Sequence, residues 1–424
     1  MQGFEKILGV TLPAAVTLAA AVLLLTYLYG YFSPLRAGSA PREVPARRGA
    51  PKERLRLIGW LVAWVLATRL FLYLIALAGC AAAGQLGDYL AHPGAFWVRW
   101  DANHYLGLAR DWYVNEGDPR FHLVFYPLYP LAVRAMLPLF GGSAAVAATV
   151  LSNLFLTAAC WALYELTLLQ LGDPSARDAV RALLLFPTSL YLSIPYSESI
   201  FLMLTLFSVL AARKQRLWLA VALGALASAS RIQGLITAIP VFYEAMRLEA
   251  RGGKPHPARV ALRALQVSLI ALGFGAYLLL NWRVSGNPFQ FLIYQREHWS
   301  QTMGSVWNTL SYTLENAFHY DGAGARQGIW IPQLVSIVIA FVVMCRTFRR
   351  AHPADGAYAL VYAWISFSPT WLLSGPRYLM AMYALYPMLT LIARGRWRRA
   401  AIGALLILGT VYCALQYAVF GNLL

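Results

Sequence analysis

Four ionisable side chains stand in an apolar chain at positions where charge is costly: Asp101, Glu198, Arg231 and Arg377. Asp101 lies in the run Trp97-Val98-Arg99-Trp100-Asp101-Ala102-Asn103-His104-Tyr105, a lone carboxylate among aromatics in a polar loop. A carboxylate partly desolvated by such rings is a better general base than one in bulk water. Glu198, in Tyr196-Ser197-Glu198-Ser199, falls between two apolar runs. An acid inside a membrane costs ~2.5–3.5 kcal/mol on insertion scales and is by default a functional candidate. Arg231, in Ser230-Arg231-Ile232-Gln233-Gly234, and Arg377, in Gly375-Pro376-Arg377-Tyr378, each interrupt an apolar stretch. A guanidinium in such a place calls for a carboxylate, a lipid head or a phosphate held bidentately. Two such arginines on one face suit a phosphate held at the membrane boundary.

Plainer readings compete with each of these. The loop charges Asp88, Asp111, Glu116 and Asp118 read as a solvated surface facing Arg99, Arg110 and Arg120. Tryptophans belong at membrane interfaces whatever their neighbours do. Glu198 suits a helix start capped by Ser197, and Arg231 reaches the interface if it snorkels.

The elements that position these residues are set by composition. Hydrophobic residues make up 59% of the 424 and charged residues 12%, about half the charged share of soluble domains. This is an all-α polytopic membrane protein. The net charge of +17 does not point to nucleic acid, because the arginines sit in short clusters between apolar runs, as in cytoplasmic loops and lipid-contacting patches. Cys80, Cys160, Cys345 and Cys413 lie in apolar segments without CxxC spacing and read as small core residues. No Walker GxxxxGK[ST], strand-linked GxGxxG or HExxH is present.

Runs near the ~20 residues a crossing needs predict about twelve spans: 8–31, 57–82, 143–170, 179–195, 197–213, 217–231, 232–247, 260–283, 329–346, 356–373, 377–393 and 400–420. Segment 124–140 holds prolines at 127, 130 and 138 and is expected as an interfacial or partly inserted helix. Residues 1–56 are expected to be an extra helix with a basic cytoplasmic linker. Residues 57–283 form the main membrane module with the external loop 83–142, and 284–424 carry a second external loop and the last helices. The clusters at 213–216, 247–263, 346–350 and 394–399 are expected to be cytoplasmic. Asp101, Glu198, Arg231, Gln295, His298 and Arg377 then fall on the outer side.

Further contacts to substrate are expected from Trp100, His104, Tyr129, Tyr196, Tyr378 and the segment from Asn287 through Gln295, His298 and Trp299. Its aromatics and amides suit sugar stacking and hydroxyl bonding, or an ordinary interfacial helix. His104 and His298 read as structural residues or as metal ligands. No cofactor follows from the residues, and a divalent metal stays open.

Taken in order, the Trp100-Asp101-Ala102 loop, Phe125-Tyr126-Pro127-Leu128-Tyr129-Pro130, Phe186-Pro187 through Tyr196-Ser197-Glu198-Ser199, Ser230-Arg231 with Gly234, and Pro376-Arg377-Tyr378 resemble the PIG-V type of mannosyltransferase and its bacterial relatives. The resemblance implies a GT-C membrane fold with seven shared helices, here about 57–283. It implies a polyprenyl-phosphate-mannose donor and a lipid or glycolipid acceptor. By that analogy Asp101 is the catalytic base, Glu198 a second acid that orients the acceptor or a metal, and Arg231 a ligand of the donor phosphate, which the sequence pattern extends to Arg377. The expectation is an inverting transferase in a bacterial plasma membrane with its site facing outside. The rival is a lipid-linked sugar flippase or small-molecule transporter, which predicts inverted repeats that are not visible in this chain.

Overall fold

The computed structural model describes residues 21–33 and 51–423. The expected crossing at 8–31 and the linker arginines at 36, 42, 47 and 48 therefore lie wholly or partly outside the described residues. Among those described the chain is helical, and its only β-type pairing is one bridge between Met303 and Pro369.

Among the described residues five helices are long and apolar enough to cross a membrane: Lys52–Ala82, Ala144–Leu171, Pro257–Ser285, Ala323–Thr347 and Arg396–Ala418. A sixth crossing results if Asp118–Val124 and Leu128–Phe140, bent by 112°, count as one span. The other segments expected as spans are shorter or broken. The run 179–195 is helical only to Leu184, and Phe186-Pro187 precedes a short turn at Ser189–Leu192. The run 232–247 opens as a tight helix, Ile232–Thr237, before Ala238–Glu249 with Pro240 in its first turn. The run 377–393 splits at Met382 into Gly375–Ala381 and Leu385–Ile392. In each case a proline that cannot donate to the preceding turn lies at or near the break.

A break inside an apolar body leaves backbone carbonyls that need partners. At 185–193 they are supplied from afar. Arg69 of the first long helix donates to the carbonyls of Ser189 (2.8 Å) and Leu184 (3.1 Å), and Thr410 donates to that of Leu185 (2.7 Å).

These breaks deliver the charged residues to one place. The helix Glu198–Arg213, here α1, is buried at 14 of its 16 positions. It packs most extensively against Ala144–Leu171 and Leu217–Ser230. Apolar on all sides, it is a core helix that neighbours shield from lipid. It begins with an acid and ends with an arginine, ~22 Å apart at 1.5 Å per residue.

Candidate active site

The helix Asp101–Asp111 starts at its carboxylate. Trp100 before it occupies the left-handed region at φ 54°, which a bulky residue adopts only under strain. Asp101 and Tyr105, one turn apart, share a face and reach two different partners. Asp101 Oδ2 accepts from Arg377 Nη1 at 2.8 Å. The Tyr105 hydroxyl meets Ser197 Oγ at 2.8 Å.

Glu198 opens α1, and its Oε1 takes two guanidiniums: Arg231 Nη1 at 2.6 Å and Arg377 Nε at 3.1 Å. The first is a hydrogen bond; the second is an ion-pair contact whose angle does not make one. Arg231 Nη1 also donates to Ser197 Oγ at 3.2 Å. The result is one chain of alternating charge, Asp101–Arg377–Glu198–Arg231. Exposure falls sharply along it: the Asp101 side chain is 25% exposed, Arg377 8% and Glu198 1%, with Arg231 at 11%. Two acids balance two arginines, as groups so deeply withdrawn from water require.

Glycine at two positions lets the arginines approach. A Cβ on Gly234 would lie 2.3 Å from the backbone of Ala227 and Ser228, so only glycine fits where the chain turns back after Arg231. A Cβ on Gly375 would lie 2.4 Å from Gln333 Oε1, which accepts the Gly375 amide at 2.8 Å just before Arg377. Each guanidinium also rests on aromatic faces, Arg231 over Tyr378 (5.2 Å) and Arg377 over Tyr196 (5.0 Å) and Tyr191 (5.5 Å).

A second group adjoins the first. His104 Nδ1 and His122 Nε2 are 2.9 Å apart, and the His104 ring meets Phe125 and Trp299. His298 stacks on Phe121 at 4.4 Å, and Phe125 in turn packs on Tyr105 at 5.1 Å. An aromatic surface thus runs from the helix Gln290–Trp299 to the charged chain. Burial pushes the His104 imidazole below its ordinary value; Asp101 opposes the shift and His298 adds to it. Among the described residues no three His, Cys, Asp or Glu side chains converge as a metal site. Glu198 instead faces two guanidiniums, a setting that repels a cation.

The expected site residues divide accordingly. Asp101, Glu198, Arg231, Arg377, Tyr196 and Tyr378 meet, and His104, His298 and Trp299 form the adjoining surface. Gln295 bonds Gln301 at 2.6 Å and reaches neither group directly. Tyr129 is fully buried, its hydroxyl engaged by Ser152 at 2.8 Å, and touches the site only through the ring of Tyr105. Trp100 is 45% exposed and makes no ring contact with another aromatic.

Three readings change. The aromatics next to Asp101 in sequence do not enclose it. Trp97 packs on Tyr417 and Trp112 on Tyr113, while Arg377 is the partner that Asp101 holds. Ser197 makes no capping bond for α1; its hydroxyl joins Tyr105 to Arg231. The arginines, expected to await a phosphate, already hold carboxylates. Arg377 is committed to Asp101, Glu198 and Ser374. Arg231 Nε and Nη2 donate to nothing among the described residues, so Arg231 keeps donors for a ligand. Sequence reasoning missed Ser197, Tyr105 and His122. His122 was detectable as a second histidine just before the Phe125-Tyr126-Pro127 turn.

The mannosyltransferase (PIG-V) family model matches residues 77–269. GPI alpha-1,6-mannosyltransferase 2 of Cricetulus griseus is 33% identical over 151 residues, which are 33% of this chain and 29% of that protein. The Mus musculus protein of the same name is 34% identical over the same shares, and the Homo sapiens one 31% identical over 32% and 29%. The match thus spans less than a third of these relatives' length. No solved structure matches significantly. Asp101, Glu198 and Arg231 fall inside the matched segment, and Arg377 comes from beyond it. Through residues 77–269 this chain is similar to the mannosyltransferase (PIG-V) family.

Proposed function

We propose that this protein is an inverting mannosyltransferase that uses a polyprenyl-phosphate-mannose donor and a lipid or glycolipid acceptor at the extracytoplasmic face of the plasma membrane. The observation that carries this reading is the chain Asp101–Arg377–Glu198–Arg231, whose one partly exposed member is a carboxylate. Asp101 Oδ1 accepts no hydrogen bond among the described residues while Oδ2 is fixed by Arg377. The carboxylate is therefore oriented and still able to take a proton.

In the reaction the acceptor hydroxyl gives its proton to Asp101 as its oxygen attacks the mannose C1. The C1–O bond to phosphate breaks, and polyprenyl phosphate leaves with one more negative charge. That charge grows beside Arg231, which has unengaged N–H donors and stabilises it electrostatically. Glu198, the second acid, anchors both guanidiniums and in this reading helps to orient the acceptor. Ser197 and Tyr105 hold the Arg231 guanidinium in register. The aromatic surface of His104, Phe125, His298 and Trp299 suits the apolar face of a pyranose. One carboxylate base facing a phosphate-leaving group serves inversion, whereas retaining hydrolases need two closely set carboxyls.

Sidedness is proposed from charge. Arg213, Arg247 and Arg350 meet at the far end of α1, and clusters of arginine face the cytoplasm. The test is incubation of purified protein with polyprenyl-phosphate-[14C]mannose and lipid acceptor, followed by chromatography. A labelled glycolipid is the expected product. Movement of label across vesicles without any covalent product would establish the flippase reading instead.

A further inference from the structure

Arg213, the last residue of α1, is buried in a second ion cluster. Its Nε contacts Glu244 Oε1 at 2.8 Å and its Nη2 contacts Asp355 Oδ1 at 3.0 Å. Arg247 Nη1 binds the other Glu244 oxygen at 2.7 Å. Asp355 also accepts from Tyr383 (2.8 Å) and Gln170 (2.7 Å), so its carboxylate is fully engaged. Beside this cluster lies a cavity of about 220 Å³, lined by Arg213, Arg247, Arg350, His352, Gln170 and Asp355. One water needs ~10–15 Å³ by the same kind of measure, so the space admits a group of many atoms.

Arg213 is paired with Glu244 and Asp355, and Arg247 with Glu244, so the positive charge left to a ligand is that of Arg350. Arg350 is exposed, and no carboxylate pairs with it among the described residues. His352 adds a donor. Its Nδ1 accepts from the Ala354 amide (3.3 Å) and from Arg213 Nη2 (2.9 Å), so in the neutral ring the proton is on Nε2. Burial, with Arg213 and Arg247 nearby, pushes this imidazole well below its ordinary value and keeps it neutral. Nε2 has no hydrogen-bond partner; Glu244 Oε1 is 3.9 Å away. The N-terminus of the 14-residue helix Pro353–Ser366 opens on the same space and adds its positive end. Arg350, which lines the cavity, belongs to the arginine-rich segment 346–350, the kind of surface that gathers anionic lipid.

We propose that this cavity binds a phosphate ester, with the headgroup of an anionic phospholipid as its membrane-borne source and inorganic phosphate as the soluble one. The site is ~22 Å along α1 from Glu198 and uses none of the residues assigned to sugar transfer.

The experiment is thermal unfolding of the full chain in neutral detergent, titrated with short-chain phosphatidylglycerol, phosphatidylcholine or inorganic phosphate. A saturable rise with phosphatidylglycerol and little with phosphatidylcholine is expected. Arg350→Glu weakens the apparent affinity about tenfold, the scale of one charge-assisted hydrogen bond. The neighbouring Arg349→Glu, whose guanidinium lies over Phe348 and does not line the cavity, leaves it nearly unchanged and so separates a built site from diffuse surface charge. Saturation by inorganic phosphate alone identifies the soluble source and sustains the phosphate chemistry. No saturable effect from either ligand, equal stabilisation by phosphatidylcholine, or equal losses in the Arg349 and Arg350 variants overturns the proposal. Asp101→Asn protein binds as the wild type does, so this outcome is independent of whether the chain transfers mannose.

Discussion

At its first residue α1 places a carboxylate between two arginines, and at its last it places an arginine between two carboxylates. Glu198 lies between Arg231 and Arg377, and Arg213 between Glu244 and Asp355. The ends differ in what terminates each network. Near Glu198 the chain runs out to a partly exposed acid, Asp101. Near Arg213 it runs out to an exposed arginine, Arg350, across a cavity. An exposed carboxylate on a rigid anchor can take a proton, whereas an exposed cation on a similar anchor can only bind. In the proposed reading the same burial serves chemistry at one end and recognition at the other.

The largest effect that tests this contrast is at Asp101. Asp101→Asn keeps the shape and an acceptor oxygen for Arg377 but removes the base. Mannosyl transfer by the folded protein should fall by about 10²–10⁴, the usual range for a general base, with a lower unfolding temperature because Arg377 keeps only Glu198 as a charged partner. Full activity in this variant would end the base assignment and make the two ends equivalent.

The next effect belongs to the far end. Glu244 is 4% exposed and holds both Arg213 and Arg247. Glu244→Gln leaves two buried guanidiniums undercompensated, which costs about 3–5 kcal/mol when a buried pair is broken. A large drop in unfolding temperature is expected, while the folded fraction retains its turnover. If turnover collapsed without loss of stability, the far cluster would belong to the catalytic machinery.

Arg231→Lys is milder. The ammonium can still reach Glu198 and Ser197 but loses the planar fork and its additional donors. A charge-assisted hydrogen bond is worth about 1.5–3 kcal/mol, so kcat/KM should fall about ten- to a hundredfold. Because the growing phosphate charge is a transition-state feature, the loss should appear in kcat more than in KM. A pure rise in KM would reassign Arg231 to donor binding in the ground state.

Much of this arrangement was legible as residue type and little of it as pairing. Ionisable residues in apolar runs stand out because burial is costly, and Glu198, Arg231 and Arg377 were found that way, while Asp101 was found as a carboxylate among aromatics in a polar loop. The same signal applies to Glu244, inside the run 232–247, which was not singled out. Arg213 was read as a loop cation because its neighbours are basic, yet it is buried with two acids contributed from 31 and 142 positions away. Such distant partners leave no mark in local sequence. The broken helices were hidden for a related reason. The apolar runs at 179–195, 232–247 and 377–393 have the composition of spans, and the groups that make the break at 185–193 tolerable, Arg69 and Thr410, come from other helices.

The smallest expected effect concerns acid. Each end carries a histidine whose pKa is lowered: His104 by burial, and His352 by burial and two arginines. A lowered imidazole binds protons in the unfolded chain from 6.5 downward while the folded protein refuses them. Stability is therefore intact above 6.5 and declines as pH falls below it. His104→Phe keeps a ring against Phe125 and removes the titrating group, and it also relieves His122 of a neighbour that lowers its own affinity for protons. The unfolding temperature of this variant should fall less steeply than that of the wild type below pH 6.5, with little difference above it. His352→Asn, which keeps a side-chain cap for the helix Pro353–Ser366, provides the matching measurement at the other end. If only His352→Asn flattens the profile, acid sensitivity resides in the far cluster, and the histidines beside Asp101 are free to serve the substrate surface alone.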